Sequence, residues 1–98
     1  MTRLFAVIRG HGPGYDRARP LEAQADWPAH AAFMNALEAE GIALLAGPLS
    51  DAEEALIIMR AGDPEEIERR LAADPWTASK TLVTTRLAPW DLRLGTLS

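Results

Sequence analysis

Four short apolar segments alternate with two segments of helical periodicity, and this alternation limits the fold more than any other feature of the sequence. Glycine and proline separate the segments, so that the chain reads strand, helix, strand, strand, helix, strand. The predicted strands are residues 4–9, 42–46, 55–61 and 81–87. The predicted helices extend from Asp26 to Gly41 and from Asp63 to Ala73, and each aspartate is expected to be the N-cap of its helix. In a chain of 98 residues this order predicts one α+β domain over residues 1–98.

The connections between these segments predict an antiparallel four-stranded sheet with both helices on one face. A strand-helix-strand crossover is right-handed, so the first two strands run in the same direction, and the 47–51 turn makes the third strand run back. The 10–26 loop, the start of the first helix, the 47–51 turn and the end of the second helix then share one end of the domain. We therefore expect His30 and Asp74, distant in sequence, to lie at the same end.

One face of the predicted sheet is covered by neither helix. A second copy of the chain is the simplest cover for such a face. A chain of this size also buries only a modest fraction of its surface alone, so association would add to its stability. We therefore expect a homodimer.

Composition and charge argue against several classes of protein. The net charge is −4 and Lys and Arg are scattered, so we expect no nucleic-acid partner, and no apolar run is long enough to span a membrane. The absence of cysteine excludes disulfides, thiolate metal sites and cysteine nucleophiles. Residues 1–3 enter the first strand without a signal-peptide pattern, which predicts a cytoplasmic protein. His11 and His30 have no third ligand nearby, so we expect neither a metal nor a cofactor.

His30 and Asp74 are the candidate catalytic residues. His30 lies on the apolar face of the first helix, where a packed core histidine is the ordinary alternative, but a histidine side chain can pass a proton in either direction near neutral pH. Asp74 ends the second helix ahead of Pro75, and an anion there is unfavourable because the helix C-terminus is already negative. A histidine N–H would remove this conflict and would fix the tautomer of His30, as in catalytic dyads.

Four short motifs, in order, resemble the YciI-like, or YCII-related, family. They are WPAHAAFM at 27–34, GPL at 47–49, DPW at 74–76 and PW at 89–90. The resemblance covers residues 4 to about 95 and implies a ferredoxin-like βαββαβ sandwich that dimerises into an α+β barrel. It also implies that His30 and Asp74 correspond to a proposed catalytic pair; one family member resembles a dehydrochlorinase of aromatic degradation. Tyr15 stands where closer relatives are expected to have tryptophan, which leaves the shape of the substrate open.

Two candidate substrate-binding residues lie before the first helix. Arg9, near the end of the first strand, either binds a substrate carboxylate or is an exposed strand residue, which is the commoner case. Tyr15 belongs to the 10–26 loop, which we interpret as a flexible lid because loops of this length in compact domains are often functional. His11 in this loop is expected to be exposed to solvent.

The remaining candidates for substrate binding lie later in the chain. Gly47 and Pro48 are first of all a turn, but a glycine there would let the backbone approach a ligand closely. Ser50 is expected to shape this turn, because no nucleophile motif surrounds it. Trp76 belongs either to the core or to the wall of an apolar pocket.

Three hypotheses about function follow. The first is an enzyme in which His30, oriented by Asp74, performs general acid/base chemistry on a small organic substrate, by elimination, isomerisation or hydrolysis. The second is a non-catalytic module that binds a small metabolite or regulates through it. The third is a structural domain whose dimer is its function.

Overall fold

The computed structural model describes residues 2–49 and 53–97. Within these residues the chain forms four strands, β1 (Arg3–His11), β2 (Ala43–Pro48), β3 (Glu54–Ala61) and β4 (Leu82–Pro89). The helices are α1 (Trp27–Ala39), α2 (Pro64–Leu71) and the short α3 (Pro75–Ala78), and one 3-10 turn spans Leu21–Ala23. No helix among the described residues is long and apolar enough to cross a membrane.

The strands form one sheet in the order β2-β3-β1-β4, and every neighbouring pair is antiparallel. Val7 of the central strand β1 pairs with Ile57 of β3 on one side and Leu87 of β4 on the other. The predicted α+β class, with a ferredoxin-like βαββαβ order, is therefore confirmed. The register shifts at two places: Thr85 of β4 is an extra residue opposite the step from Ile8 to Arg9, and Leu44 of β2 is extra opposite β3.

The core lies between the sheet and the helices. Successive side chains of a strand point to opposite faces, and in β1 the fully buried Phe5 and Val7 point to the helix side, where Leu37 of α1 and Ile67 of α2 pack. Arg9 continues the same row and is buried as well.

No helix of the described residues covers the opposite face of the sheet. Ile8 and Leu56 are only half-buried there, and Leu45 of the edge strand β2 is 55% exposed. The homodimer expected from such a face stays a prediction, which sedimentation equilibrium of the purified chain would test.

The two main helices begin in different ways. Asp63 caps α2 as predicted, because its side chain accepts a hydrogen bond of 2.8 Å from the Glu66 amide, with Pro64 in the first turn. The predicted side-chain cap by Asp26 is wrong. Asp26 has a left-handed backbone with φ of +62°, and its carboxylate accepts no hydrogen bond from the helix amides. The predicted end of α1 is confirmed, since Gly41 has the φ of +77° that suits glycine after a helix.

Two prolines that were predicted to lie outside the strands belong to them. Gly47 and Pro48 belong to β2, not to a turn, and pair with Leu56 and Ala55. The fourth strand extends two residues past its predicted end, to Pro89, which pairs with Phe5. The physical reason is shared, since β2 and β4 are the two edges of the sheet and an edge strand tolerates proline where its N–H would face outward. Ser50 lies outside the described residues.

The segment interpreted as a flexible lid begins later than predicted and is anchored to the α3–β4 connection. The Gly12 amide donates to the Thr81 carbonyl and the Gly14 amide to the Lys80 carbonyl, both at 3.0 Å. Further along, the buried Gln24 side chain donates to the carbonyls of Asp16 and of neighbouring loop residues. The anchored residues between β1 and α1 place Tyr15 beside the strand ends.

Replacement of Gly12 by alanine tests this anchor. A Cβ at Gly12 would lie 2.1 Å from the Lys80 carbonyl oxygen, whereas a Cβ at Gly47 would meet nothing within 4 Å. We expect Gly12→Ala to lower the free energy of unfolding by about 1–3 kcal/mol, as overpacking typically does. Urea denaturation measures the change, and Gly47→Ala is the matched control. Equal stability of the two variants would contradict the close packing of this connection.

Candidate functional site

Asp74 is the residue around which the candidate site is built. It is fully buried and lies after the end of α2, where its Oδ1 accepts a 2.9 Å hydrogen bond from the Trp76 amide and so caps α3. The predicted electrostatic conflict at the end of the second helix is therefore wrong, because α2 ends at Leu71 and Asp74 instead occupies the favourable N-terminal position of α3. The short helix α3 was not predicted from the sequence.

His30 meets Asp74 as the topology predicted. The histidine lies in the first turn of α1, and its Nδ1 is 3.0 Å from Oδ1 and 2.9 Å from Oδ2 of Asp74. Its ring stacks on the indole of Trp76 with 3.9 Å between centroids and 9° between planes. Trp27 lies against the edge of the pair, 6.0 Å from the His30 ring. The carboxylate and the indole together fix the position and the plane of the imidazole.

Arg9 is the third member of a buried cluster of side chains, which consists of His30, Asp74 and Arg9. Its Nη1 donates to Asp74 Oδ2 at 2.8 Å and its Nη2 to the hydroxyl of Thr77 at 2.6 Å, and that hydroxyl donates in turn to the Leu71 carbonyl. The side chain is 1% exposed, so the prediction of an exposed strand residue is wrong. The alternation of β1 explains this, because Arg9 follows Phe5 and Val7 on the side of the helices.

The charge of Asp74 determines which ring nitrogen of His30 carries a proton. Burial alone would raise the pKa of the Asp74 carboxyl, but hydrogen bonds from His30, the Trp76 amide and Arg9 together hold that pKa below its ordinary value of 3.8. Asp74 is therefore ionised at neutral pH and can only accept hydrogen bonds. It follows that His30 donates through Nδ1–H, and that a neutral His30 ring has its lone pair on Nε2.

A cavity of about 490 Å³ opens beside His30. Its walls are mainly apolar and aromatic, and its polar side chains include both histidines and two glutamates. The aromatic lining residues are Tyr15, Trp27 and Trp76, the aliphatic ones include Leu21, Met34, Ile57 and Leu82, and the ionisable ones are Arg9, His11, Glu22, His30 and Glu54.

The cavity brings together most of the residues that the sequence singled out for binding. Arg9, Tyr15, Gly47, Pro48 and Trp76 all line it, and Gly47 and Pro48 do so from the edge strand β2. Trp76 is also a core residue, since it is fully buried and its indole N–H donates to the Ala25 carbonyl. Ser50 cannot be assigned to the cavity, because it lies outside the described residues.

His11 is a cavity residue that the sequence reasoning missed. It was expected to be exposed on the lid, but it is the last residue of β1, is half-buried and stacks on Tyr15 with 3.6 Å between ring centroids. Burial lowers the pKa of its imidazole, as does Arg17, and Glu53 offsets this in part. The strand alternation would have revealed His11, since it continues the inward row of Arg9 once β1 is extended past Gly10. Glu22 and Glu54 carried no signal in the sequence, whereas Met34 lies on the apolar face of the first helix together with His30.

Metal binding finds no support in this geometry. Among residues 2–49 and 53–97, no group of three or more His, Asp or Glu side chains is arranged to hold a metal ion. Asp74 instead bonds to both His30 and Arg9.

Comparison with known proteins yields a family and similar solved structures. Residues 6–91 match the model of the YCII-related domain family. No curated protein matches the chain. The structure of 5-chloro-2-hydroxyhydroquinone dehydrochlorinase from Burkholderia phenoliruptrix, in complex with 2,5-dihydroxybenzoquinone, is similar to this chain with a TM-score of 0.65 and 23% identity, over 90% of this chain and 93% of that one. At this identity the likeness shows a shared fold.

Replacement of Asp74 by asparagine tests the buried ion pair. The change leaves the charge of Arg9 buried and unpaired, so we expect a loss of about 3–5 kcal/mol in the free energy of unfolding. The matched control is Glu53→Gln, which breaks the Arg17–Glu53 pair whose side chains are 52% and 62% exposed, and which should cost less than about 1 kcal/mol. Urea denaturation at neutral pH measures both. Equal losses would contradict a structural role for the Asp74 pair.

The same variant predicts a dependence on pH. Because the pKa of Asp74 is lower in the folded chain, its stabilisation is fully present above the ordinary value of 3.8 and is lost as the pH falls below that value. The native protein should therefore lose stability in this acid range more steeply than Asp74→Asn does.

Proposed function

This chain belongs to the YCII-related domain family, and we propose that it is a small-molecule enzyme in which His30 is the general acid/base and Asp74 its orienting partner. One observation carries the proposal. The buried Asp74 carboxylate engages Nδ1, while Nε2 has no hydrogen-bond partner in the described part of the chain and His30 lines the 490 Å³ cavity. Because Asp74 already holds the ring in place, the Nε2 lone pair is available to a bound molecule without further reorientation of the side chain.

The chemistry open to such a base is proton transfer at carbon or oxygen. Nε2 takes a proton from the substrate, and the electrons of the broken C–H or O–H bond form a new π bond while a leaving group departs with its bonding pair. Return of the proton to another atom of the substrate gives isomerisation instead, and activation of a water molecule gives hydrolysis. In each case Asp74 stabilises the imidazolium that forms, because the two groups are in direct contact.

The walls of the cavity indicate a class of substrate. Tyr15, Trp27 and Trp76 provide flat apolar surfaces, and the His30 ring itself stacks on Trp76. A small planar molecule with a few polar substituents would fit such walls, with its polar groups toward His30 and the glutamates. The similar structure supports this assignment, since that enzyme is a dehydrochlorinase of a chlorinated hydroquinone and was solved with 2,5-dihydroxybenzoquinone. We therefore propose hydroquinone- or quinone-like rings as the first compounds to test.

His30→Asn is the variant that tests catalysis. Asparagine keeps a hydrogen-bonding side chain of similar size but cannot transfer a proton at neutral pH. On a compound that the native protein converts, we expect the variant to lose at least about 100-fold in kcat, because general acid/base catalysis typically contributes 100- to 10,000-fold. Binding of 2,5-dihydroxybenzoquinone, a ligand of the similar enzyme, should change far less, as isothermal titration calorimetry would show.

The matched control is Glu38→Gln, on the exposed side of the same helix. It should convert substrate at the native rate. If His30→Asn does so too, His30 is not the catalytic group. If neither the native protein nor any variant converts a compound that all of them bind, the chain is a ligand-binding module rather than an enzyme.

A further inference from the structure

The buried guanidinium of Arg9 is unusual enough to require an explanation. It occupies the inward row of a central strand, where the two preceding inward residues, Phe5 and Val7, belong to the apolar core. Burial of an ion pair is costly, and such pairs are often no more stabilising than apolar residues of similar volume. The fit of Arg9 is also incomplete, since its Nε has no hydrogen-bond partner in the part of the chain that is described. Stability alone therefore does not explain this side chain.

The position of Arg9 within the cluster gives a better explanation. It contacts Asp74 at Oδ2 through Nη1, and His30 Nδ1 approaches the same oxygen at 2.9 Å. Two cationic or potentially cationic groups therefore share one carboxylate. The second terminal nitrogen of Arg9 is held by the Thr77 hydroxyl, so both ends of the guanidinium are fixed within the protein.

We propose that Arg9 is a positioning residue that acts through Asp74, and that its fixed charge opposes the protonation of His30 and so favours its action as a base. This inference rests on the proposed function of His30. It replaces the hypothesis that Arg9 binds a substrate carboxylate, because the side chain is 1% exposed and its terminal nitrogens donate to Asp74 and Thr77.

The electrostatic reason is the balance of charge around one carboxylate. With Arg9 present, the negative charge of Asp74 is already matched, and a second positive charge on His30 would be repelled by the guanidinium. Without Arg9, the buried carboxylate would face His30 alone and would favour the imidazolium, which cannot accept a proton. The other ionisable groups that line the cavity are His11, Tyr15, Glu22 and Glu54, and none of them is hydrogen-bonded to the His30 ring among the described residues.

Two variants of Arg9 separate charge from packing. Arg9→Gln removes the charge but keeps a donor for Asp74 or Thr77, and Arg9→Lys keeps the charge but loses the second donor arm. The readout is the pH midpoint at which the His30 ring titrates, followed by NMR of the ring resonances in the protein without ligand. We expect the midpoint in Arg9→Gln to move up by about one to three pH units, and the midpoint in Arg9→Lys to stay close to that of the native protein. If Arg9→Gln does not fold, the same titration midpoint is measured in Arg9→Met.

The outcomes are distinct from those of the proposed function. An unchanged midpoint in the neutral variant, or equal movement in both variants, would overturn the inference and leave Arg9 with a structural role. Neither result depends on a substrate, so the inference can fail while His30→Asn still abolishes turnover. Where a substrate is known, the acid limb of the kcat profile should move up together with the titration in Arg9→Gln and return to the native position in Arg9→Lys.

Discussion

The buried carboxylate of Asp74 connects parts of the chain that are remote in sequence. It accepts hydrogen bonds from Arg9 of β1, from His30 of α1 and from the amide of Trp76 at the start of α3. A buried carboxylate without such donors would be strongly destabilising, so these three segments are held at fixed positions relative to one another. The stacked pair of His30 and Trp76 follows from this arrangement, and the cavity beside His30 is bounded by the same two side chains.

The topology explains why the cluster forms at this end of the sheet. β1 ends beside the start of α1, and α2 returns the chain to the same end before α3 and β4. The connections between the strands therefore place the members of the cluster and of the cavity wall at the same end of the sheet. The edge strand β2 adds Gly47 and Pro48 to the cavity wall. The apolar core under α1 and α2 provides a rigid support for a site of this kind.

The sequence predicted this fold because its apolar runs and its glycine and proline breaks agree with the order of elements. The position of His30 and Asp74 at one end of the domain was also predictable, since it follows from the connections between the elements. The role of Asp74 as the cap of α3 was not, because Asp-Pro was interpreted as the end of one helix and a four-residue helix has too little periodicity to be recognised. His11 was misplaced because the predicted first strand ended before it. Arg9 lay within that strand, in the row of Phe5 and Val7, but was expected to be exposed because a charged side chain is rarely fully buried.

The central claim is that His30 presents an unprotonated Nε2 because Asp74 holds the proton on Nδ1. Long-range 1H–15N correlation spectra of the histidine rings, recorded above the titration of His30, identify the tautomer directly. The account predicts that the neutral ring of His30 is protonated at Nδ1, with Nε2 free to accept. A neutral ring protonated at Nε2 would contradict it, because Nδ1 would then have no proton to donate to a carboxylate that can only accept.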